Sequence, residues 1–202
     1  EGTGYNREHL LPQSWFGKKR DPMYSDVTHV VPADARLNTQ RNDNPFGEVT
    51  DQQSQVGVSK SGYSRWGAPN KSLGAPAGLT KVFEPNDTIK GDIARIYFYL
   101  LTCYEDTLGS WRDTWTASRT APFVFDADGT PYEPLQQWVM TMFMRWSEQD
   151  PVDSIETARN NNVFRVQGNR NPFVDYPGLE QQVWGDRRDE PFVYDDGSDS
   201  RQ

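Results

Sequence analysis

The chain is poor in the side chains on which several functions depend. Among its 202 residues there is one cysteine, Cys103, and there are two histidines, His9 and His29. A lone thiol cannot close an internal bridge, which excludes a disulfide framework and a cysteine-based zinc cluster. Two imidazoles likewise exclude a three-histidine zinc site. No apolar run approaches the roughly 18 to 20 residues that a bilayer-spanning helix requires. Residues 1–30 also lack a basic start followed by an apolar stretch. Positive charge is scarce, with 21 Lys and Arg against 29 Asp and Glu, a net charge of -8. Nucleic acid and anionic membranes are therefore repelled at long range, so any phosphate must be met by local cations or by a metal.

What the chain does have is aromatic mass, with 7 Trp, 9 Tyr and 10 Phe, enough for a packed globule rather than a disordered segment. Its length fits one domain. We expect a domain over residues 1–185 and an acidic, breaker-rich, frayed tail over 186–202. The first ninety residues are rich in Gly, Pro, Asn and Asp and read as loops and short strands. Residues 52–77 are either a meander or a long ordered loop. From Asp92 the spacing of Ile93, Ile96, Leu100, Leu101 and Tyr104 predicts an amphipathic helix. A second helix is expected with Pro134 in its first turn and Leu135, Trp138, Val139, Met142, Phe143 and Trp146 on one face. A third is expected with Asp150 as its N-cap and Pro151 at its first position, running toward Asn162.

Chemistry concentrates near the amino terminus. Glu8 and His9 lie side by side before Leu10-Leu11-Pro12, and a second cluster runs Asp26-Val27-Thr28-His29-Val30-Val31-Pro32. Residues 8–41 read as strand, connecting loop, strand and short helix, which carries His9 and Asn38 to one region. Phosphodiester hydrolysis needs a base to activate water and positive charge against the transition state. His9 can be that base. Glu8 and Asn38 offer hard oxygen atoms to one Mg²⁺ or Ca²⁺, leaving coordination positions for water and phosphate.

The run Tyr5-Asn6-Arg7-Glu8-His9-Leu10-Leu11-Pro12-Gln13-Ser14-Trp15-Phe16-Gly17 resembles the opening catalytic motif of the bacterial endonuclease I family. The blocks Asp26 to Asn44, Pro45-Phe46-Gly47, Lys90 to Tyr97 and Gln167 to Phe173 are similar to further blocks of that family, in the same order, so the resemblance extends from about residue 5 to 185. It implies an α+β fold whose core is the ββα-metal, or His-Me finger, unit in a largely helical single domain with long loops. It also implies a secreted or periplasmic endonuclease that cuts DNA, and RNA as well, with little sequence preference and leaves 5′-phosphates. Carried over by position, His9 matches the general base, and Glu8 and Asn38 match the ligands of a single ion, Mg²⁺ with Ca²⁺ or Mn²⁺ as alternatives. Members commonly carry paired histidines in the second cluster, where this chain has Thr28 and His29. They usually have helical residues ahead of the motif, so a removed signal peptide and a truncated, processed or separate upstream segment are expected. A monomer with no membrane span is expected.

Other residues carry two readings each. The family has an arginine in the connecting loop that steadies the cleaved phosphate, and Arg20, ending the run Lys18-Lys19-Arg20, is the candidate; a solvated charge run is the alternative. Arg41 lies on Asn38's helix face and either contacts phosphate or pairs with an acid. Gln167 and Arg170 have polar ends that could face the substrate, with Asn169 and Asn171 shaping the turn. Asp26 is assigned to holding a loop or a histidine, and His29 either orients the metal-site loop or is structural. For Arg95 a buried salt bridge is expected. Two rivals to a nuclease stay open: an inactive module that binds nucleic acid or protein, and a phosphodiesterase acting on small molecules.

Overall fold

The computed structural model describes residues 4–52, 56–126, 128–130 and 132–194. Its amino-terminal unit is built from two strands and a helix that follow one another closely. Strand β1 (Tyr5–His9) pairs antiparallel with β2 (Val30–Asp34), in a register that sets Tyr5 opposite Asp34 and His9 opposite Val30. Helix α1 (Ala35–Arg41) starts directly after β2 because Asp34 caps it, its Oδ1 accepting from the backbone N–H groups of Arg36 and Leu37 at 2.9 and 3.1 Å. A second antiparallel sheet, β3 (Val56–Val58), β4 (Arg65–Gly67) and β5 (Val82–Glu84), lies in that order. Of the two readings for residues 52–77, the meander thus applies to 56–67.

Helix α2 (Lys90–Cys103) is the centre of the molecule and differs from the one-sided helix that the spacing suggests. The expected stripe is buried, with Tyr97 beside it, and so are Ala94, Phe98 and Tyr99 on other faces. A helix apolar all round is covered all round, here by α5 (Gln137–Gln149) on one side and α7 (Pro172–Asp175) on another. Between α2 and α5 come the short helices α3 (Glu105–Leu108) and α4 (Arg112–Ala117). The predicted face of α5, with Val139, Met142, Phe143 and Trp146, is buried. Pro134 lies ahead of the helix, because Leu135 instead forms an isolated antiparallel bridge with Phe125.

Helix α6 (Ser154–Gln167) begins later than expected, and its N-cap is Asp153, which accepts from the N–H groups of Ile155 and Glu156, both at 2.8 Å. Asp150 ends α5 instead, and its Oδ2 accepts from Gly91 N at 2.9 Å. That approach requires glycine: a Cβ at Gly91 would sit 1.9 Å from the Asp150 carbonyl oxygen. Gly168, at φ 82°, ends α6 in the left-handed region.

Residues 186–194 fold back on the body rather than fray. Arg187 donates to the Gly178 carbonyl at 2.7 Å just ahead of α8 (Leu179–Val183), and Phe192 packs edge-on against Tyr176. The rest of the expected tail, 195–202, lies outside the described residues. One aromatic-rich core spans the molecule, with Trp115 stacked on Phe125 at 4.3 Å and Phe98 on Trp184 at 5.3 Å. Trp15 and Phe16 enter this core from the turn after β1, so the end of that strand is anchored in it. No described helix is long and apolar enough to cross a membrane.

Candidate active site

A cleft of about 520 Å³ opens beside the ββα unit and is bordered by Arg7, Glu8, His9, Gln13, Tyr24 and Asn38, among others. The strand and the helix thus bring Glu8, His9 and Asn38 to one place. His9 is 9% exposed and held from several directions. Its Nε2 lies 2.9 Å from the Tyr24 carbonyl oxygen, which can only accept, so Nε2 carries the proton and Nδ1 keeps its lone pair. Gln13 Nε2 donates to Nδ1 at 3.2 Å, a contact that a water molecule could replace. The Tyr24 ring stacks on the imidazole at 5.4 Å, fixing its plane. The ring is therefore held in one orientation, with Nε2 toward the Tyr24 carbonyl and Nδ1 toward Gln13.

Glu8 is 8% exposed. Its Oε1 accepts from Arg41 Nη1 at 2.5 Å, while Oε2 has no hydrogen-bond partner among the described residues. Burial pushes the Glu8 carboxyl up and the Arg41 charge pulls it down, and the net position is above the ordinary range. A further cation beside Oε2 would favour the ionised form. Asn38 donates from Nδ2 to the Arg7 carbonyl at 3.4 Å, which leaves its amide oxygen without a partner among the described residues. One carboxylate oxygen and one amide oxygen suit a hard cation that keeps several waters, as Mg²⁺ does. No group of three or more His, Cys, Asp or Glu that could hold an ion occurs among the described residues.

The alternatives posed for the other residues separate cleanly. Arg41 is 2% exposed and committed to structure: beyond Glu8 it donates to the His9 carbonyl at 2.9 Å and the Leu10 carbonyl at 2.6 Å, with its guanidinium over the Phe46 ring. Its geometry is that of the ion pair, and it ties α1 to the end of β1. Arg20 is exposed, 3.4 Å from Ser110 Oγ, and does not border the cleft. Gln167 is turned inward, bonded to Asp26 Oδ1 at 2.8 Å and to Val27 N at 3.0 Å, and Arg170 pairs with Asp175 at 2.6 Å. Neither reaches the cleft, because each has a closer polar partner within the fold. Arg95 forms a buried pair with Glu156.

Asp26 holds a loop. It accepts from Gln167, Thr28 N, Tyr99 and Tyr104 at 2.7 to 2.8 Å. Burial pushes its carboxyl up, but the bonds from Gln167, Tyr104, Thr28 and Tyr99 outweigh that and hold it below the ordinary range. The loop so fixed leads into His29, fully buried, whose Nε2 donates to the Met23 carbonyl at 2.6 Å. Met23 and Tyr24 therefore hold the two imidazoles through neighbouring carbonyls, with the ring centroids 5.5 Å apart.

Burial pushes the His29 imidazole down from 6.5 to about 4, outweighing the Met23 bond and the Asp26 charge. Between those two values the unfolded chain takes up a proton that the folded chain refuses. The contribution of His29 to stability is full above pH 6.5 and falls as pH is lowered through the window, by about 2 kcal/mol near pH 5. Urea midpoints at about pH 7 and 5 should therefore show His29→Gln losing less stability on acidification than the parent. Equal losses would remove His29 as the cause.

Sequence inspection passed over three residues at the cleft: Arg7, Gln13 and Tyr24. Only Arg7 had a usable signal, since position 7 shares a strand face with position 9. Tyr24 acts through its carbonyl as well as its ring, and no side-chain pattern reports a backbone contact.

The family model of Endonuclease I matches residues 1–178. An extracellular ribonuclease of Bacillus amyloliquefaciens is 31% identical over 183 residues, covering 89% of this chain and 54% of that protein. An extracellular ribonuclease of Bacillus subtilis (strain 168) is 29% identical with the same coverage. Endonuclease-1 of Buchnera aphidicola subsp. Baizongia pistaciae is 29% identical over 94 residues, 46% of this chain and 27% of that protein. The chain spans about half the length of the extracellular ribonucleases it matches. Since the match takes in β1, β2 and α1, which carry the cleft, and continues beyond α7, the chain belongs to the endonuclease I family.

Proposed function

We propose that this chain is a metal-dependent endonuclease that hydrolyses phosphodiester bonds of DNA and RNA without strong sequence preference. The observation that carries the proposal is the His9 imidazole, pinned through Nε2 to the Tyr24 carbonyl, in the same cleft as the partnerless oxygens of Glu8 and Asn38. In this reading Nδ1 of His9 takes a proton from water, the water oxygen attacks phosphorus, the bond to the 3′-oxygen breaks, and that oxygen takes up a proton from solvent. The products carry a 5′-phosphate and a 3′-hydroxyl. Glu8 and Asn38 hold one divalent ion, Mg²⁺ with Ca²⁺ or Mn²⁺ as substitutes, which when bound supplies positive charge to the phosphate oxygens. The local cation matters because the protein is acidic overall, at a net charge of -8. Weak base preference follows if the cleft grips phosphates rather than base edges. The names of the two Bacillus relatives support RNA as a substrate and a secreted location.

A plasmid-nicking assay with and without chelator tests this reading, and cleavage indifferent to chelator would end the metal assignment. Asn38→Ala and Glu8→Gln are expected to lower the rate roughly 10- to 100-fold at limiting Mg²⁺, since even indirect supports of a metal site are worth that much. Excess Mg²⁺ should restore part of the rate. Glutamine at position 8 keeps an acceptor for Arg41, so a lost rate would not simply report unfolding.

A further inference from the structure

If the cleft binds nucleic acid as proposed, it needs a cation for the substrate, and the residues expected to supply one are engaged or distant. Arg41 is buried against Glu8, Arg170 is paired with Asp175, and Arg20 does not border the cleft. Arg7 does border it and is exposed. Its described hydrogen bonds use its backbone alone: the N–H donates to Asn6 Oδ1 at 2.9 Å and the carbonyl accepts from Asn38. No ion pair forms at its guanidinium among the described residues.

Alternation along a strand places Tyr5, Arg7 and His9 on one face, in steps of about 6.7 Å. That step is comparable with the separation of neighbouring phosphates along one nucleic-acid strand. Tyr5, at the outer end of the row, is 87% exposed, and its ring packs against no other ring among the described residues. We propose that β1 is a rail for the substrate strand: His9 faces the scissile phosphate, Arg7 binds the adjacent phosphate, and Tyr5 stacks on a base beyond it. Arginine suits this place because its planar fork grips a phosphate through two N–H groups. An aromatic face accepts any base, in keeping with weak sequence preference. The inference rests on the proposed nuclease reading but can be tested apart from it, because gripping a strand does not require cutting it.

The experiment measures binding of a fluorescent single-stranded oligonucleotide, with Mg²⁺, to the His9→Ala protein and to the same protein carrying Arg7→Gln, Arg7→Lys or Tyr5→Ala. Plotted as log affinity against log salt, Arg7→Gln should flatten the slope by about 0.7, the share of one phosphate contact on a single strand. Arg7→Lys should return the slope to the parental value. Tyr5→Ala should weaken binding about five- to tenfold without altering the slope, and Tyr5→Phe should restore it. Unchanged slopes in Arg7→Gln, or an effect that lysine does not rescue, overturn the rail while leaving cleavage by the unsubstituted chain to support the nuclease. A slope that depends on Arg7 in a protein that cuts nothing would uphold the rail and overturn the nuclease reading. No binding by any variant overturns the rail.

Discussion

Replacing His9 with alanine is expected to lower the cleavage rate by about 10²- to 10⁴-fold, the usual contribution of a positioned general base. The fold should survive. His9 ends a strand whose next residues, Leu10 and Leu11, stay buried, and Trp15 and Phe16 still anchor the turn in the core. The substitution removes the bond to the Tyr24 carbonyl and the contact with the Tyr24 ring, a loss of about 1 kcal/mol. Glu8 and Asn38 are untouched, so the Mg²⁺ concentration giving half-maximal residual activity should stay near that of the parent. Nicking rates, a Mg²⁺ titration and a thermal melt together separate a lost base from a lost fold. A variant that cuts at the parental rate would remove His9 from the reaction.

The largest effect on stability is expected at Arg95. This side chain is 1% exposed, yet it is fully occupied: Nε and Nη2 meet the two Glu156 oxygens at 2.8 and 2.6 Å, and Nη1 donates to the Asp150 carbonyl at 2.8 Å. One guanidinium thereby joins α2 to the end of α5 and the first turn of α6. Its own backbone carbonyl receives Asn171 Nδ2 at 3.1 Å, adding the start of α7. Arg95→Met should cost about 3 to 5 kcal/mol, because it strands the buried Glu156 carboxylate without its partner. The neighbourhood is already acidic, since burial and then Glu156 push the Asp92 carboxyl well above its ordinary range. Converting Glu156 to leucine in the same chain should recover much of the loss, as two apolar residues need no partners. Urea midpoints of the parent, both single variants and the double variant measure the coupling; a purely additive result would show that the pair is not the linchpin proposed.

The amino-terminal unit could be read from the sequence because its parts lie within a few tens of residues of one another. The Glu8-His9 pair ahead of Leu10-Leu11-Pro12 and the second cluster ending in Val30-Val31-Pro32 mark two strands, the second of which runs through Pro32 to Asp34, and a chain-adjacent helix carries Asn38 toward the other two candidate site residues. Local pairing and strand alternation operate at that range and leave a visible pattern. The existence of α1, α2, α5 and α6 was legible for the same reason, while the short helices α3, α4, α7 and α8 left no such pattern. Helix starts were not: Asp150 and Asp153 are equally good caps in isolation, and only the arrival of Gly91 at Asp150 decides between them.

Residues that act at a distance carry no such signature. Gln167 stands 141 positions from Asp26, and nothing between them in the chain announces the bond. The identity of the side chains determined that there is an imidazole beside a carboxylate, an amide within the following helix and a shortage of positive charge. Tertiary structure alone decided which arginines are free to meet a phosphate. An exposed guanidinium and a buried one are the same letter in a sequence, and they differ only in whether packing has supplied a carboxylate and carbonyls within hydrogen-bond reach, as it has for Arg41 and, among the described residues, not for Arg7.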